Sequence, residues 1–212
     1  MTDTLPHLSL NETRVLGTLV EKHRTVPDTY PLSLNALAAG CNQKTSRQPV
    51  LDLGEAEILQ ALDTLKDAGL AVEVSGSRVV RFEHRLEKVL GVPSQASALL
   101  TVLMLRGPQT AGELRLNCER LHRFADISSV EAFLEELAGK ALVVELPRLP
   151  GSRENRWSHL LSGQPAVEAH AASGTRIGNQ EIDELKNRVS ALESEVGELR
   201  AQLAELRAEL GG

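Results

Sequence analysis

The stretch LAVEVSGSRVVRF, residues 70–82, decides the fold. Leu70, Val72 and Val74 alternate with other residues, a Ser-Gly-Ser turn follows, and apolar residues resume up to Phe82. Two short apolar runs around such a turn predict a β-hairpin. Because this hairpin would follow three amphipathic helices, the sequence predicts a winged helix, which is a variant of the helix-turn-helix.

The three helices ahead of the hairpin are predicted from their first residues and their apolar stripes. Ser9 with Glu12, and Asp52 with Glu55, have the spacing of capping pairs. Ser33 is predicted to open the second helix, and leucines at helical spacing follow each start. The third helix leads directly into the hairpin.

The same order of elements recurs in the second half. Thr110 with Glu113, and Ser128 with Glu131, are the predicted caps, and Trp157 is placed on a returning strand. The halves align without gaps inside elements, as expected if only the loops differ in length. The alternative is a chance match of leucine-rich helices, but the matched strand after each third helix argues against it.

The tail carries a heptad repeat. β-Branched residues at one core position and leucine at the other favour a parallel dimeric coiled coil, and the alternative is one amphipathic helix docked on its own domains. The core positions are Ile182, Leu185, Val189, Leu192, Val196, Leu199, Leu203 and Leu206. We therefore predict a mainly α protein of the α+β winged-helix class. It has two tandem winged-helix domains (1–90 and 91–161), a flexible linker (162–178) and a coiled-coil helix (179–212).

Composition argues against several classes of protein. The net charge is −6, so the chain is not a strongly basic nucleic-acid binder. Cys41 and Cys118 form no CxxC pair, which favours reduced thiols in a cytoplasmic protein and argues against a zinc site or disulfides. The six histidines fall in no catalytic motif, and no apolar run could span a bilayer. We expect no enzymatic activity, no cofactor, no metal and no membrane association.

Several short motifs together resemble a known family. They are Glu21-Lys22, Tyr30-Pro31-Leu32-Ser33, Cys41-Asn42-Gln43-Lys44 with Arg47 and Pro49-Val50, Leu105-Arg106-Gly107-Pro108-Gln109-Thr110 with Gly112-Glu113-Leu114-Arg115, and Pro150-Gly151 with Arg153-Glu154 and Arg156. Over roughly residues 9–163 the chain resembles the YceH family of bacterial tandem winged-helix proteins. The resemblance implies that fold and a cytosolic bacterial setting, and it implies no activity.

The polar run at residues 41–50 is longer than an ordinary connector, and we expect that the fold does not require it. Such a run suits contact with phosphates or with a polar partner, and the alternative is a solvated connector. With the wings it predicts low-specificity contacts to a DNA backbone. The candidate contact residues are Asn42, Gln43, Lys44, Arg47, Arg78, Arg81, Arg115, Arg120, Arg123, Arg153 and Arg156.

The third helices argue against the usual mode of DNA docking, in which basic side chains enter the major groove. Their expected outer positions are mostly acidic: Glu55, Glu57, Asp63, Asp67, Glu131, Glu135 and Glu136. We therefore keep two functions open. The first is a DNA-binding or transcription-associated protein, and the second is a structural adaptor whose winged helices bind other proteins.

Overall fold

The computed structural model describes residues 7–74, 79–148 and 151–165. The helices are α1 (Leu10–Thr25), α2 (Leu34–Cys41), α3 (Glu55–Asp67), α4 (Leu86–Leu90), α5 (Ser94–Arg106), α6 (Ala111–Asn117) and α7 (Ile127–Gly139), with a 3-10 turn at Pro27–Thr29. The strands are β1 (Leu32–Ser33), β2 (Ala71–Val74), β3 (Arg81–His84), β4 (Val143–Leu146) and β5 (Arg156–His159). In these ranges no helix is both long and apolar enough to cross a membrane.

The caps predicted at Ser9, Ser33 and Thr110 are confirmed. The Ser9 hydroxyl accepts the amide of Glu12, whose carboxylate accepts the Ser9 amide at 2.8 Å. Thr110 and Glu113 make the same reciprocal pair at the start of α6. Ser33 caps α2. These caps satisfy amide groups that have no partner inside a helix.

The predicted caps of both third helices are wrong. α3 is capped at Gly54 rather than Asp52, because the carboxylate of Glu57 accepts the Gly54 amide at 2.8 Å. α7 is capped at Asp126 rather than Ser128, since the Asp126 carboxylate accepts the amide three residues on at 2.7 Å. In both helices a nearby carboxylate accepts a backbone amide at the helix start. The N-cap of α3 therefore lies two residues after the predicted one, and that of α7 lies two residues before it.

Two small antiparallel sheets carry the hairpins. The first has the order β1-β3-β2, with Leu32 opposite Phe82. The second pairs β4 with β5, and an isolated bridge joins Gln109 to Trp157 where the first sheet has β1. Strand β1 was not predicted, because two residues are too few to show alternation. Each half thus has helix, short bridge, two helices and hairpin, an order consistent with a winged helix.

The two halves, called here the first repeat (residues 10–84) and the second repeat (residues 94–159), share one core. Helices α1 and α5 pack against each other, and a Cβ at Gly17 would lie 3.0 Å from the Leu105 side chain. Buried leucines of both repeats form one continuous cluster. All described residues belong to one compact unit ending at Pro165. The coiled-coil range, and the linker beyond Pro165, lie outside the described residues.

A buried arginine supports the end of α2. Arg14 lies on α1, is fully buried, and donates to the carbonyls of Cys41, at 3.1 Å, and of Pro49. The last carbonyls of a helix lack intrahelical partners and carry partial negative charge, so a cation is favourable there. Burial, and then the nearby charge of Arg47, lower the pKa of Arg14. The sequence pattern of α1 gave no sign of this contact.

Replacement of Gly40 tests the packing of α2 on α1. A Cβ at Gly40 would lie 2.6 Å from Cγ2 of Thr18, whose side chain is fully buried. Overpacking of this kind costs about 1–3 kcal/mol, so we expect Gly40→Ala to lower the free energy of unfolding by that amount in a urea titration. Gly139→Ala is the control, because a Cβ there meets nothing within 4 Å. Equal stability of Gly40→Ala and wild type would contradict the packing described.

Candidate functional site

The polar run between α2 and α3 proves to be a structural loop. The Asn42 side chain donates to the carbonyl of Leu53 at 2.9 Å and accepts the Leu53 amide at 2.8 Å. This two-way pair closes the loop at its base and brings the chain to the start of α3. The expectation that the fold does not require the run is therefore wrong, and Asn42 is occupied by an internal contact.

The same loop ties the first repeat to the second. The amide of Gln48 donates to the carbonyl of Leu105, near the end of α5, at 2.8 Å. Arg106 donates to the hydroxyl of Ser46 at 2.8 Å. The end of α5 thus receives a backbone and a side-chain contact from a loop of the other repeat. These contacts explain why the run is longer than an ordinary connector.

Arg47 belongs to the interior. Its side chain is 0% exposed and donates to the Gly40 carbonyl at 2.9 Å and to the Glu21 carboxylate at 2.7 and 3.2 Å. Burial alone would raise the pKa of Glu21, but the hydrogen bonds and charge of Arg47, with the charge of Lys22, hold that pKa below its ordinary value. The prediction of Arg47 as a surface contact is therefore corrected: its guanidinium stabilises the loop and α2.

Three other predicted cations are half-buried and make internal contacts. Arg81 donates to a carbonyl in the segment before β1 at 2.7 Å. Arg115 donates to the carbonyl of Ala125 at 3.0 Å. Arg156 on β5 lies 4.0 Å from the carboxylate of Glu113. Each of these arginines helps to hold a loop or strand in place, which leaves less of its charge for a partner.

The remaining predicted contact residues differ in their exposure. Gln43 is half-buried, and the exposed members are Lys44, Arg120, Arg123 and Arg153. Arg78 lies outside the described residues, and so do all the predicted dimerisation positions: Ile182, Leu185, Val189, Leu192, Val196, Leu199, Leu203 and Leu206.

The third helices present acidic outer faces, as the sequence indicates. The exposed carboxylates are Glu55, Glu57, Asp63 and Asp67 on α3, and Glu131, Glu135 and Glu136 on α7. Lys66 is the only basic residue of either helix, and its ammonium is 2.9 Å from the carboxylate of Asp63. Neither helix therefore offers a positive surface to a phosphate backbone.

A polar cleft of about 310 Å³ lies between the two repeats. Its walls come from the end of α1, the 43–46 part of the loop, the end of α5, and the end of α6 with the residues after it. The lining side chains are Glu21, Lys22, Thr25, Val26, Gln43, Thr45, Ser46, Val102, Leu105, Arg106, Asn117, Arg120 and Leu121. Basic, amide and hydroxyl groups from both repeats thus meet at one place.

Most residues of this cleft were missed as site residues. Of the predicted contacts, only Gln43 and Arg120 line it. Lys22 and Arg106 stand in the last turns of α1 and α5, where a basic residue normally serves the helix dipole. Only the packing of α1 on α5 brings them together. Their presence in the motifs that resemble a known family was the one available signal.

An aromatic cluster joins α1 to the first sheet. His23 stacks on Tyr30 with ring centroids 4.6 Å apart, and its Nδ1 is 2.9 Å from Nε2 of His84. The Tyr30 hydroxyl accepts the His84 amide at 2.7 Å. Burial, and then the charge of His23, lower the pKa of His84 to about 4, and burial raises the pKa of Tyr30. A neutral histidine in this setting packs the sheet against the helix.

Both cysteines are core residues. Cys41 and Cys118 are free and fully buried. Burial raises the pKa of both thiols, that of Cys118 to about 12. A buried thiol with a raised pKa is a poor nucleophile, so the structural interpretation of both cysteines is favoured.

Comparison with known proteins places the chain in a bacterial family. A family model described as "Protein of unknown function, DUF480" matches residues 8–152. A UPF0502 protein of Dechloromonas aromatica is 76% identical over 196 residues, covering 91% of this chain and 92% of that protein. UPF0502 proteins of Burkholderia thailandensis and Methylibium petroleiphilum are 62% and 65% identical, covering 85% and 79% of this chain and 80% and 72% of theirs. The chain therefore belongs to the DUF480 family of bacterial proteins of unknown function, which carry the name UPF0502.

Proposed function

We propose that the chain is a cytoplasmic, non-enzymatic protein of two winged helices, and that it acts as an adaptor binding another protein through its third helices. The observation that carries this proposal is the acidic outer face of both α3 and α7. The partner surface expected from this charge is basic. The repeated order of helices and hairpins supports the winged-helix assignment, and the buried thiols are compatible with a reducing compartment.

The negative charge of the third helices favours a basic protein over DNA as the partner. A winged helix that reads DNA in the usual way brings its third helix against two phosphate strands, where each carboxylate is repelled. α3 carries four exposed acids and one lysine, and that lysine is already paired. For a basic protein surface the same charges are attractive and raise the association rate.

DNA-backbone binding remains the second candidate function. It is supported by the exposed cations Lys44, Arg120, Arg123 and Arg153, none of which belongs to a third helix. Such contacts would position a duplex without reading its sequence. They would also make the affinity strongly dependent on salt.

Binding of the full-length protein to random-sequence duplex DNA distinguishes the two functions. Fluorescence anisotropy at about 50 mM and about 200 mM salt is the measurement, because several phosphate contacts would lower affinity by orders of magnitude between these concentrations. We expect no binding at either concentration at micromolar protein. Tight binding that weakens steeply with salt would contradict the adaptor proposal and favour the DNA function.

Charge reversal tests the adaptor function directly. Asp67→Lys with Glu135→Lys changes the outer faces of both third helices. Asp28→Lys with Glu119→Lys is the matched control, since these exposed acids lie off those helices. We expect a basic protein captured by wild type from a lysate to be lost with the first pair and retained with the second. Equal retention by both variants would remove the third helices from the interface.

We also propose a parallel homodimer formed by the heptad repeat at residues 179–212. The support is the sequence pattern alone: β-branched residues at one core position, leucine at the other, and flanking charges of opposite sign in a parallel pair. A dimer would present two copies of the winged-helix pair, and this bivalence would raise the apparent affinity for a repeated partner.

Light scattering tests this dimer. The full-length chain and a chain ending at Pro165 are compared at the same concentration. We expect twice the monomer mass for the full-length chain and the monomer mass for the shortened one, because the heptads are absent from the latter. If the measured mass divided by the monomer mass is the same for both chains, dimerisation through the heptads is contradicted.

A further inference from the structure

The polar cleft between the repeats holds more positive charge than the fold needs. Glu21, the one acid in its lining, is already matched by the buried guanidinium of Arg47. Three further cations then line the cleft: Lys22, Arg106 and Arg120. These charges come from α1, α5 and the segment after α6, so no single helix accounts for them.

Helix dipoles do not cancel this charge. α1, α5 and α6 all end at the cleft, and each C-terminus carries at most roughly half a negative elementary charge. The three positive charges that remain once Glu21 is set against Arg47 therefore exceed three such half charges. The cleft is electropositive although the whole chain has a net charge of −6.

The cations keep donors available for a ligand. Lys22 contacts Glu21 at 3.0 Å, and its ammonium has two further N–H groups besides the one directed at that carboxylate. Arg106 donates to Ser46 with one nitrogen, and a guanidinium has five N–H groups. Within the described part of the chain, Arg120 makes no hydrogen bond or ion pair and is exposed.

The neighbouring groups define the chemistry of the ligand. Thr45 and Ser46 supply hydroxyls, and Gln43 and Asn117 supply amides, although Asn117 already donates one of its two N–H groups to Gln109 at 2.7 Å. The guanidinium groups of arginine, together with hydroxyl and amide donors, can donate hydrogen bonds to the several oxygens of a phosphate group. Val26, which is exposed, and Leu121, which is half-buried, add apolar surface that suits a ring or short carbon chain. A volume of about 310 Å³ limits the occupant to a small molecule.

We propose that this cleft binds a small phosphorylated metabolite of mononucleotide size or less. The ligand would lie between α1 and α5, the two helices that join the repeats, and its binding would stabilise their contact. This site is separate from the acidic faces of the third helices. The adaptor function can therefore fail while the cleft still binds its ligand, and the reverse also holds.

Calorimetric titration of the full-length protein tests the proposal. The probes are inorganic pyrophosphate and the ribonucleoside monophosphates. Arg120→Gln is the test variant, and Arg123→Gln is the matched control, because Arg123 is also an exposed arginine, lies three residues away and does not line the cleft. We expect at least one probe to bind with a Kd below about 1 mM. Loss of a charge-assisted contact should weaken it about tenfold or more in Arg120→Gln and leave Arg123→Gln unchanged.

A second measurement locates the ligand without relying on a variant. The side-chain amide signals of Gln43 and Asn117 should shift in nuclear magnetic resonance spectra when the bound probe is added. The proposal is overturned if no probe binds, if Arg120→Gln and Arg123→Gln bind equally well, or if neither amide signal moves. Binding of duplex DNA that depends on Arg120, with no binding of small probes, would overturn it in favour of a macromolecular phosphate.

Discussion

The buried pairing of Arg47 with Glu21 is the contact on which the rest of the structure depends. The guanidinium also binds the Gly40 carbonyl, and Arg14 binds the next carbonyl along, so two arginines serve the end of α2. A charge so deeply buried is tolerated only with a close partner and satisfied donors. With the pair in place, the loop after α2 is fixed and its Gln48 amide reaches the second repeat.

This constraint gives the molecule two kinds of charged surface. Between the two repeats, the loop after α2 and the ends of α1, α5 and α6 line an electropositive cleft. Outside, α3 and α7 present carboxylates. Under the two proposals, the cleft binds a small anion and the acidic outer faces bind a basic protein; those same faces oppose a phosphate backbone where a winged helix usually receives it. The two proposals rest on different residues and do not compete.

Local patterns predicted much of the fold. Capping boxes at Ser9 and Thr110 and the alternation around Val72 identified helices and hairpins, because those signals depend on neighbours a few residues apart. The caps of α3 and α7 were misplaced, since another carboxylate decided each of them: Glu57 in the first turn of α3, and Asp126 just before α7. The role of Arg47 and the cleft could not be predicted. They depend on residues far apart in sequence, and an arginine in a polar loop has the same local pattern whether it is buried or exposed.

A double-mutant cycle on Arg47 and Glu21 tests the account most directly. The free energy of unfolding is measured for Arg47→Met, Glu21→Gln and the double variant, with Lys44→Met as an exposed control from the same loop. Breaking a buried ion pair costs about 3–5 kcal/mol, so Arg47→Met should lose about that much. The double variant should lose less than the sum of the two, and the control should stay within about 0.5 kcal/mol of wild type. Equal, small effects of Arg47→Met and Lys44→Met would show that Arg47 is a surface cation and would contradict the account.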